Sequence, residues 1–454
     1  MPLQAIITSD SRSMTSYTIT GKNIHEVEGV NLAGRISLPS SKSISNRLLI
    51  IRALARSDFQ FENLSKAEDT LLLQELLKQI ESAQPNQHIS LNCCNAGTVM
   101  RFLVAYLAIQ PGTWLLSGSE RMQRRPIGIL VEALRSLGAE IDYEGIAGYP
   151  PLRIIGRQLS GGEVTVDVSV SSQFVSALLL IAPLLPEGLT IRMVGDQVSF
   201  PYVDMTLRIM EEFGAVIKRN EELLLVKHGS YQAEARLTEK YTVEADWSSA
   251  AFWYEAAALA GSAELTLPGL HKNSLQGDAV LAELFRPLGV ETVFESDGIR
   301  LISGKWAVGS GQLAVGSWQP AFDLAAYPDL APSLIVTYAV LGIAARFTGL
   351  HHLKTKESDR LEALVKELGR LQIDIRHPAF GIIETDASQS IDPAPGAYPQ
   401  EIIKTYSDHR IAMAFALLAI RTGTIRISDP AVVAKSYPGF WEEMGRLGFE
   451  VSET

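Results

Sequence analysis

One short pattern recurs along the chain: a helical stretch ends on Leu-Gly or Phe-Gly and runs directly into alternating apolar residues. The copies are LRSLGAEIDY from residue 134, MEEFGAVIKR from 210, FRPLGVETVF from 285, VKELGRLQIDI from 365 and MGRLGFEV from 444. Glycine past a helix end suits a left-handed cap, and the alternation is typical of a strand. A period of roughly 75 to 80 residues predicts about six copies of one α+β module. The alternative is chance recurrence of helix-glycine-strand units in an ordinary α/β chain.

The chain is long enough for more than one hydrophobic core. It has 454 residues, 46% of them hydrophobic, whereas single cores stop growing at about 250–300 residues. Between the third and fourth modules, an extended stretch meets a helix that Asp246 or Ser248 can cap. We therefore expect two domains of three modules each, with a crossing near residue 244.

Composition argues against several classes of protein. A net charge of -11 disfavours a protein that coats nucleic acid or an anionic membrane. The only cysteines, Cys93 and Cys94, are adjacent, which excludes a disulfide framework and suits a reducing cytosol. The start MPLQAIITSDSRSM lacks a secretory pattern, and the apolar runs are shorter than the ~20 residues of a membrane span. We expect a cytoplasmic protein.

Basic residues gather where apolar helices begin. In LPSSKSISNR, Lys42 stands in the first turn of a predicted helix, and Ser43 and Arg47 lie four apart on one face. A helix start offers unpaired N–H groups and a positive dipole end, both of which favour an anion. A solvated helix start explains this stretch equally well when it is taken alone.

Comparable helix starts follow in the rest of the first half. They hold Gly97 in NAGTVMR, Arg121, Arg124 and Arg125 before a proline, Ser171, Ser172 and Gln173 in SSQF, and Ser199 before PYVDMTL. Gly97 permits close approach of the backbone to a ligand, and Gln173 offers a donor and an acceptor beyond what capping needs. Tight turns, surface charge and ordinary caps are the alternatives.

The second half of the chain mixes basic with acidic residues at such positions. They are Asp329 in PDLAPSL, Lys356, Glu357 and Arg360 in KESDRL, Arg410 in DHRIAMAF and Lys435 in AKSYPGFW. Lys356 and Arg360 form an unfavourable like-charge pair at i, i+4 of a predicted helix unless an anion or carboxylate lies between them. Glu357 can bridge to a neighbour or act as an acid.

Positive charge at helix starts in an acidic protein predicts a cleft for polyanionic small molecules. The sequence has no GxxxxGK[ST], no GxGxxG and no Cys or His cluster with ligand spacing. We therefore expect neither nucleotide hydrolysis nor dinucleotide binding nor zinc.

Nine motifs together carry a family resemblance. LPSSKSISNR, NAGTVMR, RRPIG, SSQF, PYVDMTL, PDLAPSL, KESDRL, DHRIAMAF and AKSYPGFW occur in this order from about residue 34 to 441. The set closely resembles the EPSP synthase family, the 3-phosphoshikimate 1-carboxyvinyltransferases. The resemblance implies an α/β fold of two domains, each of three βαβαββ units around a pseudo-threefold axis, with the active site in the cleft between them. Residues 34–243 would form one domain, and 1–33 with 244–454 the other.

The resemblance also implies an enzyme of aromatic amino acid (chorismate) biosynthesis. It would transfer the enolpyruvyl group of phosphoenolpyruvate to the 5-hydroxyl of shikimate 3-phosphate and release phosphate from a tetrahedral intermediate. Each substrate brings a phosphate and a carboxylate, which accounts for several arginine and lysine clamps. The family needs no metal or organic cofactor, and a monomer is its usual state.

Carried over residue by residue, the family's shikimate 3-phosphate contacts are Lys42, Ser43, Arg47, Ser171, Ser172, Gln173, Ser199, Asp329, His352 and Lys356. Its phosphoenolpyruvate contacts are Lys42, Gly97, Arg125, Gln173, Arg360, Arg410 and Lys435. Asp329 matches the base on the 5-hydroxyl, and Glu357 matches the acid for the methylene carbon, with Lys42 close enough to share that work. Two carboxyl groups in different surroundings can take such opposite roles.

Four positions depart from the family's usual residues. Ser40 and Cys94 stand where glycine is common, Phe102 where proline is frequent, and His352 where many relatives have asparagine. One alternative is the sister transferase that acts on UDP-N-acetylglucosamine, which typically has a reactive cysteine where this chain reads RMQRRPIG. Another is a non-catalytic anion-binding relative, which would not need an acid and a base in addition to the clamps.

Overall fold

The computed structural model describes residues 15–21, 30–84, 87–232, 240–304, 320–387, 391 and 401–454. The helices are α1 Lys42–Ala55, α2 Glu68–Glu81, α3 Gly97–Ala108, α4 Gly128–Ser136, α5 Ser172–Ile181, α6 Pro201–Glu212, α7 Trp247–Ala260, α8 Leu281–Leu284, α9 Ala331–Val340, α10 Arg360–Arg370, α11 His409–Ala416, α12 Ala419–Thr422 and α13 Phe440–Arg446. The expectation about a secretory pattern in residues 1–14 lies outside these described ranges.

The strands alternate with the helices along the chain. They are β1 Ser16–Gly21, β2 Val30–Arg35, β3 Phe61–Glu62, β4 His88–Asn92, β5 Gly112–Ser117, β6 Glu140–Tyr143, β7 Leu152–Gly156, β8 Gly162–Asp167, β9 Leu189–Val194, β10 Ile217–Arg219, β11 Leu223–Val226, β12 Tyr241–Thr242, β13 Gly261–Pro268, β14 Val290–Phe294, β15 Gly298–Ser303, β16 Ala321–Asp323, β17 Ala345–Thr348, β18 Arg376–Ala379, β19 Ile382–Thr385, β20 Ile402–Ile403, β21 Thr424–Ser428 and β22 Phe449–Glu453.

The sheets repeat one topology, as the periodic pattern predicts. Five four-stranded sheets occur among the described residues, in the orders β4-β5-β7-β6, β8-β9-β11-β10, β2-β13-β15-β14, β16-β17-β19-β18 and β20-β21-β1-β22. In each, the first two strands are parallel and the remaining neighbours are antiparallel. A sixth sheet has only the parallel pair β12-β3. The α/β fold of repeated βαβαββ modules is thus confirmed, with one module reduced.

The apolar residues form two separate hydrophobic clusters. One cluster runs from Ile44 to Val243, and the other contains Ile19, Leu32 and Ile36 together with residues from Ala245 onward. We call residues 41–243 the first lobe, and residues 15–40 with 244–454 the second lobe. The chain passes between the lobes twice, and a β-bridge from Ser40 to Ala245 joins the two passages. Each lobe contains three of the six sheets.

The first two strands complete sheets of the second lobe. β1 lies between β21 and β22, where Ile19 pairs with Ile425 on one side and Val451 on the other. β2 adds a parallel strand beside β13, with Leu32 opposite Ala263. Residues near the start of the chain therefore fill strand positions that the sheets β4–β7, β8–β11 and β16–β19 fill from contiguous sequence.

Glycine caps follow most of the repeated helices. Gly138, Gly214, Gly289 and Gly448 all have positive φ angles, which only glycine adopts without strain. A left-handed glycine cap was also predicted at Gly369 in the copy VKELGRLQ, and this prediction is wrong. There Gly369 lies inside α10, and the left-handed position falls on Gln372, with φ 61°. The helix continues to Arg370 because a glycine without positive φ does not stop it.

None of the helices among the described residues has the combination of length and apolar character that a membrane crossing requires.

Replacing Ile19 tests whether β1 belongs to the core of the second lobe. Its side chain is 0% exposed, so Ile19→Ala should lower the free energy of unfolding by about 2–5 kcal/mol in urea titrations. Thr18→Ala on the other face of the strand should cost less than about 1 kcal/mol. Equal effects of the two substitutions would show that β1 is not packed as described.

Candidate active site

A polar cleft lies between the two lobes, with about 840 Å³ of empty space that includes open solvent at its mouth. Its lining comprises Lys42, Ser43, Arg47, Asp69, Gly97, Thr98, Arg125, Val170, Ser171, Ser172, Gln173, Ser199, Tyr202, Asp246, Ser248, Asp329, His352, Lys356, Glu357, Arg360, His409 and Arg410. All the site residues carried over from the family resemblance are in this set except Lys435, which lies 3.3 Å from Glu357. Arg121 and Arg124, which precede Arg125 in the sequence, are not in the set. The lining contains six Lys or Arg side chains and four carboxyl groups, so the cleft carries net positive charge.

Helix starts supply this lining because of the module topology. The first helix of each module begins at or beside the cleft, and these helices are α1, α3, α5, α7, α9 and α11. Their N-termini present unpaired N–H groups and the positive ends of their dipoles. Ser41, Ser171 and Asp408 cap three of them through side-chain oxygens. The polar residues that precede apolar helices in the sequence are therefore explained by one feature of the fold, the position of these helix starts at the cleft.

Lys42 is the first residue of α1, and its ammonium lies 3.0 Å from an Asp69 carboxylate oxygen. Burial works to lower the pKa of Lys42, but the negative charges of Asp69 and Glu357 outweigh it and raise the pKa. Lys42 is therefore a cation at neutral pH, held at the cleft surface by a carboxylate. Asp69 was not predicted as a site residue, and nothing in its local sequence distinguishes it from a residue in an ordinary first turn.

Arg47 is 3% exposed and held by the first lobe. Its Nε donates to Thr206 Oγ1 at 2.7 Å, and its Nη2 donates to the Tyr202 carbonyl at 2.9 Å and to Ser176 Oγ at 3.4 Å. Nη1 donates to the carbonyl of Ser43 at 2.9 Å, which confirms that the two residues share a helix face. Among the described groups, these contacts leave one of its five N–H groups for a ligand.

Phe102 packs against the face of the same guanidinium. The Arg47 guanidinium carbon lies 5.4 Å from the Phe102 ring centroid, within the range of a cation–π contact. The family's usual proline would have no aromatic face here. Burial lowers the pKa of Arg47 to about 10, so the side chain is still charged at neutral pH.

Gly97 makes room for Arg125. A Cβ atom at Gly97 would lie 2.5 Å from Arg125 Nη2 and 2.8 Å from Nη1, closer than atoms can pack. Arg125 Nη1 donates to the carbonyl of Asn95 at 3.4 Å, and Lys435 Nζ donates to the same carbonyl at 3.0 Å. The glycine thus makes room for a guanidinium of the first lobe, while the approach of its backbone to a ligand stays a prediction.

The remaining predicted residues of the first lobe also face the cleft. Ser171 caps α5 by accepting from the Gln173 amide at 3.3 Å, and the Gln173 side chain donates to Thr98 at 3.2 Å. Ser199 lies before α6 with φ 55°, and its amide donates to the Ala325 carbonyl of the second lobe at 2.8 Å. A serine in the left-handed region is unfavourable on its own, so a contact across the cleft helps to fix it.

Arg360 is the centre of the opposite wall. It is 1% exposed and donates to Asp408 at 2.8 Å, to Glu357 at 2.8 Å and to Asp329 at 3.0 Å. The helix α10 begins at Arg360 with Asp359 as its cap, so Lys356 lies before the helix. The predicted like-charge pair on one helix is therefore wrong, although carboxylates do lie beside both cations.

Asp329 joins two arginines to a tyrosine of the first lobe. It accepts from Arg410 at 2.9 Å, from Arg360 at 3.0 Å and from the Tyr202 hydroxyl at 3.2 Å. Burial acts to raise the pKa of Asp329, but Arg410, Lys356 and Arg360 together hold it well below its usual range. Tyr202 also lies 3.3 Å from Asp278, whose pKa is raised to about 6 by burial and by Asp329.

Glu357 is enclosed by cations. One carboxylate oxygen lies 2.8 Å from Arg360 and the other 3.3 Å from Lys435. Burial raises its pKa, but Lys435, Arg360 and Arg125 outweigh this and keep it well below the usual value. Without a ligand, Glu357 is therefore ionised.

Two imidazoles and one lysine in the cleft have depressed pKa values. Burial, followed by the charge of Lys356, lowers the pKa of His352 to about 3, and burial lowers that of His409 well below its usual value. Both imidazoles are therefore neutral at pH 7, and no described group hydrogen-bonds the ring nitrogens of either one. Burial also lowers the pKa of Lys356. His409 and Tyr202 were not predicted as site residues.

Among the described residues, no cluster of three or more His, Cys, Asp or Glu side chains is arranged to hold a metal ion. The site's positive charge comes from lysine and arginine.

The repeated modules and the cationic cleft define a two-lobed α/β protein with a site for anionic small molecules. A family model described as EPSP synthase (3-phosphoshikimate 1-carboxyvinyltransferase) matches residues 27–444. The chain belongs to this family.

Individual relatives agree over nearly the whole length. The 3-phosphoshikimate 1-carboxyvinyltransferase of Bacteroides fragilis (strain YCH46) is 44% identical over 421 residues, covering 92% of this chain and 95% of that protein. The enzyme of the same name from Syntrophobacter fumaroxidans is 36% identical, covering 94% and 99%. A solved structure of EPSP synthase from Acinetobacter baumannii matches with a TM-score of 0.73 over 96% of this chain and 100% of that one, at 24% identity. The structural likeness supports the fold.

Adding a methyl group at Gly97 tests the placement of Arg125. Because the new Cβ would displace the guanidinium, Gly97→Ala should weaken binding of inorganic phosphate, measured by calorimetry, by about tenfold, or 1.4 kcal/mol. Gly369→Ala is the control, since a Cβ there meets nothing within 4 Å. Phosphate binding that is equal in both variants would contradict the assigned role of Gly97.

Proposed function

We propose that this protein transfers the enolpyruvyl group of phosphoenolpyruvate to the 5-hydroxyl of shikimate 3-phosphate, releasing phosphate and 5-enolpyruvylshikimate 3-phosphate. This is a step of aromatic amino acid biosynthesis. Family membership over residues 27–444 supports the reaction. The observation that carries it at the level of the site is the cleft that unites clamps for several anionic groups with two carboxyl groups, Asp329 and Glu357, which both contact Arg360.

The cleft has separate cationic regions for the two substrates. Shikimate 3-phosphate lies against Lys42, Ser43, Arg47, Ser171, Ser172, Gln173, Ser199, Asp329, His352 and Lys356 in this proposal. Phosphoenolpyruvate lies against Lys42, Gly97, Arg125, Gln173, Arg360, Arg410 and Lys435. Lys42 and Gln173 belong to both sets, which is the arrangement needed where two reacting molecules meet. Each phosphate and carboxylate then has at least one basic partner, as charge-assisted hydrogen bonds require.

Substrate binding prepares Glu357 as the acid. In the free protein, Lys435, Arg360 and Arg125 keep its pKa low. An anion placed between these three cations offsets their charge, so the effect of burial then dominates and the pKa rises. Glu357 can take up a proton as phosphoenolpyruvate binds and deliver it to the methylene carbon. The acid is thereby available only when its substrate is present.

Asp329 is placed to act as the base. It lies on the shikimate side of Arg360 and Arg410, and its low pKa keeps it ionised in the free protein. When phosphoenolpyruvate binds to those arginines, its negative charge offsets part of their positive charge, and the pKa of Asp329 rises. The 5-hydroxyl proton passes to Asp329 as the oxygen bonds to C2. Glu357 later takes back a proton from the new methyl group as the C2–O bond to phosphate breaks, and Lys42 stabilises the charge on the phosphate. The proton held by Asp329 passes to the departing phosphate, which returns both carboxyl groups to their starting states.

The lobes are proposed to be two domains. We propose the boundaries 34–243, and 1–33 with 244–454; the two hydrophobic clusters support a division of this kind, although Ile36 packs in the cluster of the second lobe. Within this proposal the protein is a cytoplasmic monomer that needs no cofactor and binds neither nucleic acid nor membrane. Its formal charge of -11 agrees with small-molecule partners held at a local positive site.

Phosphate release tests the reaction. The purified protein should release phosphate only when shikimate 3-phosphate and phosphoenolpyruvate are supplied together, because each anion completes part of one site. Reactions with UDP-N-acetylglucosamine in place of shikimate 3-phosphate, and with phosphoenolpyruvate alone, are the controls. Release in either control at the rate of the complete mixture would overturn the assignment.

Glu357→Gln separates chemistry from binding. The amide has nearly the same shape but cannot donate a proton to carbon, so turnover should fall by a factor of at least about 10². Binding of shikimate 3-phosphate, measured by calorimetry, should change by less than about threefold, or 0.7 kcal/mol.

Glu362→Gln is the matched control, since Glu362 lies on the exposed face of α10 and pairs with Lys366. It should leave both measurements unchanged. If Glu357→Gln loses binding as severely as turnover, Glu357 is a structural residue.

A further inference from the structure

Arg121 makes a set of hydrogen bonds across the cleft that the proposed reaction does not use. It comes from the first lobe, just before the 3-10 turn Met122–Arg124. Its Nε and Nη2 donate to the carbonyl of Lys356 in the second lobe at 3.2 and 2.9 Å, and Nη2 also donates to the carbonyl of Lys354 at 3.1 Å. One guanidinium thus binds two main-chain carbonyls more than 230 residues away, since |i−j| is 233 and 235.

These carbonyls lie at the end of a short 3-10 helix, His351–Thr355, where Lys356 is the C-terminal cap. The last carbonyls of a helix have no partner within it, and a cation there also interacts favourably with the helix dipole. Arg121 therefore satisfies a helix end of the second lobe from the first lobe. The next residue along the chain is Glu357, so the contact fixes the main chain that carries both Lys356 and Glu357.

The acceptors are neutral carbonyls, so the contact cancels none of the positive charge of Arg121. Burial lowers the pKa of Arg125, whereas Glu357 and Asp69 act to raise it, and the positive charge of Arg121 acts to lower it further, as expected for two guanidiniums that repel each other. An anion bound at Arg125 offsets this repulsion. The hydrogen bonds of Arg121 and the occupation of the cleft should therefore favour each other.

We infer that Arg121 is a positioning residue: by joining the first lobe to the carbonyls of Lys354 and Lys356, it holds the lobes together and aligns Lys356 and Glu357 in the cleft. The effect of Arg121 on turnover rests on the proposed function. The effect of Arg121 on the stability of the segment 351–358 does not depend on any activity.

A neighbouring arginine provides the matched control. Arg124, three residues further on, is exposed and pairs with Glu120 on the surface. Arg121→Gln and Arg124→Gln make the same chemical change in the same turn. The difference between the two variants isolates the hydrogen bonds across the cleft from the general effect of losing one positive charge. Circular dichroism establishes that each variant is folded.

Hydrogen–deuterium exchange of the ligand-free proteins gives the first readout. Peptides covering residues 351–358 should exchange about tenfold faster in Arg121→Gln than in the parent protein, because the loss of charge-assisted hydrogen bonds destabilises this segment. Arg124→Gln should match the parent protein. Arg121→Lys should restore part of the protection, because an ammonium can still donate to one carbonyl. Equal exchange in Arg121→Gln and the parent protein would overturn the inference, whether or not the protein is active.

Kinetics and small-angle scattering give the second readout. In Arg121→Gln, kcat/KM should fall at least about tenfold with both substrates. We expect shikimate 3-phosphate to draw the lobes of the parent protein together, and this compaction should be smaller in Arg121→Gln. If the parent protein has no activity, the proposed function is contradicted. The hydrogen–deuterium exchange measurement then still tests the role of Arg121, because it does not depend on activity. An active parent with an Arg121→Gln variant of unchanged kcat/KM and unchanged compaction would contradict the positioning role alone.

Discussion

Arg360 is a buried guanidinium shared by three carboxylates, and the wall of the second lobe is built around it. Asp329, Glu357 and Asp408 come from three separate segments, and each lies within 3.0 Å of this one side chain. Taking such charges out of water costs several kcal/mol per ion, and removal of one partner from a buried pair typically costs about 3–5 kcal/mol. The network therefore persists only as a unit, and it fixes the two carboxyl groups to which the base and acid roles are assigned. Arg410 and Lys435 extend it towards the first lobe.

The module topology explains why so many charged groups meet in one place. In each module the first helix begins beside the cleft, so six helix N-termini contribute their unpaired N–H groups and dipoles to the same space. The side chains at those starts include Lys42, Asp246, Asp329 and Arg410, and other segments bring the lining to six basic groups and four carboxyl groups. A cleft with this excess of positive charge is unfavourable when empty and favourable when two polyanions fill it. The same excess keeps Glu357 ionised until a substrate offsets it, so binding and the availability of the acid are physically linked.

Local patterns in the sequence were sufficient to predict the modules and the polar helix starts, whereas the family resemblance was needed to assign individual residues to the site. Gly138, Gly214, Gly289 and Gly448 each mark a helix end that the neighbouring residues alone determine, and Lys42, Arg360 and Arg410 stand at recognisable helix starts. Contacts between distant segments could not be predicted from such patterns. The place of β1 between β21 and β22 depends on pairings across more than 400 residues, and Tyr202 lies in an unremarkable amphipathic helix whose start happens to face Asp329. Asp69 and Arg121 likewise acquire their roles only from partners brought close by the fold.

Turnover in deuterium oxide tests the central claim most directly. If Glu357 delivers a solvent-derived proton to the methylene carbon and a proton is later removed from the resulting methyl group, some of the product formed in deuterium oxide must carry deuterium in its vinyl group. Mass spectrometry of the isolated product should detect this deuterium. Glu357→Gln should form less labelled product, in proportion to its lower activity. A vinyl group that contains no deuterium after complete turnover would contradict protonation at carbon and, with it, the role assigned to the buried carboxylate beside Arg360.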